Sequence, residues 1–261
     1  MSVIRLTRRG LVGIAVTSSL VAAASATAAV APDFSMVWDA SGDSVEAFTY
    51  NPGNFGEAVD NFDGSWTYTG GIVGESWEMS WICDANDNRS AGLGGGSGMA
   101  FVDAEIVVTN TSASVQTFSM LMSLNLSSSI SAPITADGSA GYTLTNVAPF
   151  GDATIAAPDG SSLYKGFVDV VDPFADTAIG TLYDAPFSDT VAGAFATTSA
   201  NDAFGTTDPG SADTNVAVLL TFELSPGDSA SVVGTLIVVP GPGALALLAV
   251  GGFAGRRRRR G

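Results

Sequence analysis

Trp77-Glu78-Met79-Ser80-Trp81-Ile82-Cys83 alternates large apolar side chains with other residues at a period of two. In an extended chain that period places Trp77, Met79, Trp81 and Cys83 on one face, where they can meet a core, and Glu78, Ser80 and Ile82 on the other. The same beat recurs downstream. Val102, Ala104, Ile106 and Val108 alternate with Asp103, Glu105 and Val107, and Phe118, Met120, Met122, Leu124 and Leu126 alternate with smaller or polar residues. No long stretch carries the 3.6-residue period of a helix. Only residues 191–198 approach one, and Gly193 and the threonines there work against it.

Working outward, two hairpins are expected. Residues 100–109 and 115–126 are joined by Asn110-Thr111-Ser112-Ala113-Ser114, and residues 215–224 and 230–239 by Ser225-Pro226-Gly227-Asp228, where Pro and Gly suit the centre of a type II turn. With 31 glycines and 11 prolines, the body over residues 29–239 reads as one all-β domain. The expected architecture is an antiparallel β-sandwich of jelly-roll or immunoglobulin-like type.

The charges divide the 261-residue chain into three parts. Arg5, Arg8 and Arg9 lie near the start and Arg256, Arg257, Arg258, Arg259 and Arg260 near the end, leaving only Arg89 and Lys165 between them. All 26 acids fall from Asp33 to Asp228, so the net charge of -16 hides an interior balance of -24. That field repels phosphate backbones and excludes nucleic acid as a partner. The absence of histidine excludes Ser-His-Asp and Cys-His nucleophiles and the usual His-containing zinc sites.

Residues 1–28 read as a signal peptide for a signal peptidase. A basic start precedes apolar runs at 11–16 and 20–24, and Ala26-Thr27-Ala28 offers a cleavage site, with Ala24-Ser25-Ala26 in competition. Retention as a membrane anchor is the alternative, and the shortness of the apolar run weighs against it. Thr7-Arg8-Arg9-Gly10-Leu11-Val12 resembles the twin-arginine export pattern. At the other end, residues 229–255 carry no charge. Val239-Pro240-Gly241-Pro242 leads into an apolar segment over 243–255, followed by the five arginines, which act as a cytoplasmic stop.

This tail, residues 240–261, resembles the PEP-CTERM sorting signal of Gram-negative bacteria, in which a Pro-x-Pro motif precedes one apolar transmembrane helix and a terminal arginine cluster. Gly241 stands where the namesake motif has Glu. The resemblance implies transient membrane anchoring, then processing near the motif by exosortase, a membrane-embedded cysteine protease-transpeptidase, and release to the cell surface or extracellular matrix. It covers about the last 23 residues and says nothing of the body's activity. An ordinary tail anchor is the alternative. A GPI signal would end apolar, without arginines.

Within the body, calcium is the one cofactor to weigh. Asp84-Ala85-Asn86-Asp87-Asn88 begins like a cation loop with ligands Asp84, Asn86 and Asn88, but Arg89 and Gly95 occupy positions where the helical calcium hand needs Gly and Glu. A sandwich-loop site remains open there and at Asp202, Asp208 and Asp213, beside Asn201. The competing reading is solvated turn acids. Pro149-Phe150-Gly151-Asp152, Pro173-Phe174-Ala175-Asp176 and Pro186-Phe187-Ser188-Asp189 form an irregular repeat. A turn is expected in each, with Pro fixing φ, Phe plugging the core and Asp capping the backbone, against the alternative that the carboxylates gather a cation.

Trp38, Trp66, Trp77 and Trp81 could form a glycan-stacking platform or simply the core of one half of the sandwich. A carboxylate-pair glycosidase needs only two acids, which 26 acids supply by chance, so no catalytic residue is assigned. The glycine-rich run over 92–98 lacks the Lys-Ser/Thr of a phosphate loop. Cys83 is the only cysteine, expected buried and inert, with an intermolecular bond as the alternative. The whole reads as an exported, non-enzymatic structural or adhesive protein of the surface or matrix. The alternative is a secreted polysaccharide-binding or glycan-hydrolysing protein.

Overall fold

The run that opens at Trp77 is strand β5 (Trp77–Asp87), with Trp77, Met79, Trp81, Cys83 and Ala85 buried in alternation. The computed structural model describes residues 31–41, 46–50, 56–87, 98–148, 151–208 and 210–241. The signal peptide, Asn88, and the tail from Pro242 through Arg256 to Arg260 lie outside the described residues. Among the described residues the chain forms fifteen strands and no helix.

One antiparallel sheet, sheet B, runs from edge to edge as β3 (Gly56–Asp60), β4 (Trp66–Val73), β5, β6 (Ala100–Asn110), β15 (Ser229–Pro240), β8 (Ile134–Thr145) and β13 (Thr197–Asp208). The other, sheet A, runs as β2 (Glu46–Tyr50), β1 (Phe34–Ser41), β7 (Gln116–Asn125), β14 (Asn215–Leu224), β10 (Ser162–Val168) and β11 (Gly180–Asp184). At one end of β14, β9 (Asp152–Ala156) adds to it, and β12 (Ser188–Ala192) pairs with β9. The apolar faces of the two sheets share a single core. Trp38 of β1 meets Trp81 of β5 at 5.7 Å between ring centres, and Phe34 stacks on Tyr68 of β4 at 4.7 Å. Burying each such side chain contributes roughly 1.5–3 kcal/mol. This sandwich-like packing explains the alternation of apolar and outward residues along β5, β6 and β7.

The two expected hairpins are corrected. All four strands form close to where the sequence places them, but β6 pairs with β5 and β15 while β7 pairs with β1 and β14. Likewise β14 lies in sheet A and β15 in sheet B. Each connection is therefore an arch that crosses between the sheets. Two long strands, each apolar on one side, can turn those sides toward each other across the gap, and a turn-forming cluster joins them as well as it would join a hairpin.

Buried polar groups knit the arches together. Asn110 Nδ2 donates to the carbonyls of Leu224 (2.9 Å) and Ser225 (3.1 Å), and its Oδ1 accepts the Ser112 N–H (2.9 Å). The Asn110 N–H donates to the Asp228 carbonyl (2.9 Å), and the Gly227 N–H returns to the Asn110 carbonyl (2.8 Å). Gly227 has φ +77°, the left-handed geometry that the second central residue of a type II turn requires. The buried Asp228 carboxylate accepts the Ser225 hydroxyl (2.7 Å) and the Val147 N–H (3.0 Å), drawing in a third crossing between β8 and β9. Every carbonyl and N–H so engaged would otherwise be a costly orphan.

Residues 193–195 form a turn between β12 and β13, so no helix occurs at 191–198. The Pro-Phe repeat is half as expected. Asp176 Oδ2 accepts the N–H groups of Val171 (2.7 Å) and Asp172 (2.8 Å), which holds its carboxyl below the usual carboxylate range. Phe187 packs on Tyr142 and Tyr183, but Phe174 is 79% exposed and plugs nothing. Its loop instead covers a small second cluster of Phe167, Val170, Ala217 and Leu219 on the outer side of sheet A. Pro149 and Phe150 of the first copy lie outside the described residues.

Candidate functional site

The four tryptophans belong to the core. Trp38, Trp77 and Trp81 are 3% exposed or less and Trp66 is 9% exposed, so none of them offers a ring face to a sugar. Alternation on strands built to bury one side accounts for this placement, and a stacking platform is not formed by these rings.

The acidic stretches do not form loops around an ion. Asp84 and Asn86 lie within β5, in ladder register with Thr67 of β4 and Phe101 of β6, so the stretch weighed as a cation loop is strand as far as Asp87. Asn86 is buried, and Asp84 accepts the Thr67 hydroxyl. Asp202 and Asp208 lie six residues apart on β13, roughly 20 Å along an extended chain, too far to share one ion. Asp208 accepts the Gly210 N–H (2.6 Å), and Asp213 accepts the Ser211 hydroxyl (2.8 Å). The loop that holds Asp213 is closed by a carboxylate: Asp169 Oδ1 accepts the N–H groups of Asp213 (2.9 Å) and Thr214 (2.6 Å). Among the described residues, no three acid or cysteine side chains converge where a metal ion could sit. Lys165 is the only cationic side chain among those residues, and Asp84, Asp169, Asp208 and Asp213 take hydroxyl or N–H donors instead.

The outer face of sheet B gathers most of the remaining polar chemistry. Ala203, Ser139, Thr235, Asp103, Asp84 and Thr67 form one row across six strands. Asp103 and Asp84 are directly opposite each other, a repulsive pairing eased by one hydroxyl each, since Thr235 Oγ1 donates to Asp103 at 2.6 Å. Ser231 Oγ likewise donates to Glu105 (3.2 Å). Over β8 and β13 the pattern differs. Asp137, Ser139, Thr143, Ser199 and Asn201 make no side-chain hydrogen bond among the described residues. They lie along two shallow depressions of about 280 and 440 Å³.

The start of the sorting motif is part of the fold. Val239 and Pro240 end β15 opposite Thr135 and Ile134, and the buried Gly241 donates its N–H to the Pro133 carbonyl (2.6 Å). Cys83 is fully buried on the core side of β5. Burial, then the nearby Asp84 and Asp103 charges, push its thiol far above the ordinary range, which removes thiolate reactivity.

Sequence reasoning passed over Asn110, Asp228 and the β13 strand. Asn110 and Asp228 read as ordinary turn residues. The stretch from Thr197 to Asp208 lacks apolar alternation because it is an edge strand with little to bury. No family model, curated protein or solved structure matches this chain.

Proposed function

We propose that this is an exported surface or extracellular-matrix protein of a Gram-negative bacterium, delivered by its signal peptide and sorted through exosortase-like processing of its C-terminal tail. The body is structural or adhesive and performs no catalysis, and it holds no cofactor. Its strands follow a jelly-roll-like path, consecutive strands from β6 onward often alternating between the sheets.

The observation that carries this reading is the route of the chain out of the fold. β15 lies inside sheet B between β6 and β8, and it passes without a linker into Gly241 and the apolar, arginine-ended tail. A tail anchored in the membrane would pull on a strand hydrogen-bonded on both sides. The burial of all four tryptophans and the local donors taken by Asp84, Asp208 and Asp213 support a scaffold over an enzyme.

Mass spectrometry of the mature protein's C-terminus tests the proposal. A C-terminus between Pro242 and Gly255 is expected, because Val239 and Pro240 are paired with β8 and the buried Gly241 is bonded to Pro133, which keeps this backbone from the extended fit a protease needs. A surface protein that still carries Arg256 to Arg260 would defeat it.

A further inference from the structure

We propose that the outer face of sheet B over β8 and β13 is a binding trough for a neutral polysaccharide chain. Both depressions follow β8, whose outward residues Asp137, Ser139, Gly141 and Thr143 alternate with core residues. Gly141 lacks a side chain and so lowers the floor between Ser139 and Thr143. A Cβ on Gly205 would meet Asp137 Oδ1 at 2.8 Å, so the carboxylate leans across β13 into the space that this glycine leaves.

Nearer the middle of this sheet face, the Thr235, Ser231 and Thr67 hydroxyls donate to Asp103, Glu105 and Asp84. Over β8 and β13 a carboxylate, an amide and three hydroxyls make no side-chain hydrogen bond among the described residues, and they are spaced along an extended line of roughly 20 Å from Asp137 to Thr143. Half-exposed Val233 and Ile237 flank them. Dispersed hydroxyl, amide and carboxylate partners beside small apolar surfaces match sugar rings, which present hydroxyls at their rims and C–H groups on their faces.

Charge selects among polymers. A body at -24 repels polyanions, and a polycation would favour the other half of the face, where Asp84, Asp103 and Glu105 stand together. An extended peptide would seek a strand edge with free N–H and carbonyl groups rather than a sheet face. The trough does not depend on tail processing, since an unprocessed chain would bind equally.

The test is affinity electrophoresis of the full-length exported protein through gels containing hydroxyethylcellulose, amylopectin or the polyanion alginate. Retardation by at least one neutral polymer is expected, with none by alginate. The Asp137→Ala/Asn201→Ala double variant and, separately, Ser139→Leu should each weaken the apparent Kd at least tenfold. Asp84→Asn, on the self-bonded half, should not change it. The proposal is overturned if neither neutral polymer retards the protein, if alginate retards it more, if both trough variants bind as the parent does, or if Asp84→Asn weakens binding as much as they do.

Discussion

The ring of Phe204, on edge strand β13, fills the space that a Cβ on Gly180 of β11 would take, so one aromatic side chain closes the open side of the sandwich against the backbone of the opposite sheet. Gly138, its ladder partner on β8, is overlain in the same way. Neither glycine has a left-handed φ, so their requirement is space. Gly180→Ala is expected to cost about 1–3 kcal/mol through overpacking. Because the clash is with Phe204 itself, the Gly180→Ala/Phe204→Ala pair should be clearly non-additive in a double-mutant cycle on urea midpoints. Additivity would show that the ring is not what restricts the glycine.

Asn110 serves two arches at once, so its loss should reach beyond its own turn. Asn110→Ala leaves the buried carbonyls of Leu224 and Ser225 without their side-chain donor. At about 1–3 kcal/mol for each orphaned group, a loss of roughly 2–6 kcal/mol is expected. Asp228→Asn keeps an oxygen for the Val147 N–H and should cost much less than Asp228→Ala. Chemical denaturation of the three variants checks the order, and equal losses for Asn and Ala at 228 would remove the carboxyl oxygen from the account.

How much of this was legible follows from what alternation can encode. Trp77, Met79 and Trp81 declare a strand and its buried side because burial acts on each residue separately. Pairing is another matter. Whether β6 returns beside itself as β7 or crosses to the facing sheet depends on Asn110 finding Leu224 and Ser225, partners more than a hundred residues away. The acids misled for a related reason: Asp84 and Asn86 look like loop ligands in isolation, but the apolar residues that precede them carry the strand through to Asp87. The trough residue Ser139 gave no local sign, since only strand register brings β13 beside it, with Ala203 opposite and Asn201 one outward position further along.

Alkaline pH should unfold the protein by a calculable route. Burial raises the Tyr164 phenol, and burial together with the hydrogen bond to Asp189 (2.7 Å) raises Tyr142; burial also raises Cys83. Each group keeps its proton in the folded state at pH values where the unfolded chain releases it. The stability they contribute is present below the unfolded values, about 8.5 for Cys and 10 for Tyr, and is lost as pH rises above them. Urea midpoints should therefore hold up to about pH 8.5 and fall beyond it. Thiol alkylation at pH 8 should need denaturant. A midpoint that stays level to pH 11, or rapid alkylation of the folded chain, would contradict the burial argument.

Edge strands β12 and β13 carry the same small device. Asp189 Oδ1 accepts the N–H of Thr190 (2.8 Å), and Asp202 Oδ1 accepts the N–H of Ala203 (2.9 Å). β13 pairs with β8 over twelve residues, and it contains neither proline nor a basic residue to discourage a further strand from adding to its outer edge. An aspartate that occupies an edge N–H and brings a negative charge to the rim does both jobs at once. Asp202→Ala should therefore leave the urea midpoint within about 0.5 kcal/mol of the parent, as surface substitutions usually do, yet raise concentration-dependent self-association. Light scattering across a protein dilution series reads this directly. If the variant stays as monodisperse as the parent at every concentration, the charge on the remainder of the body, and not Asp202, is what keeps the edge free.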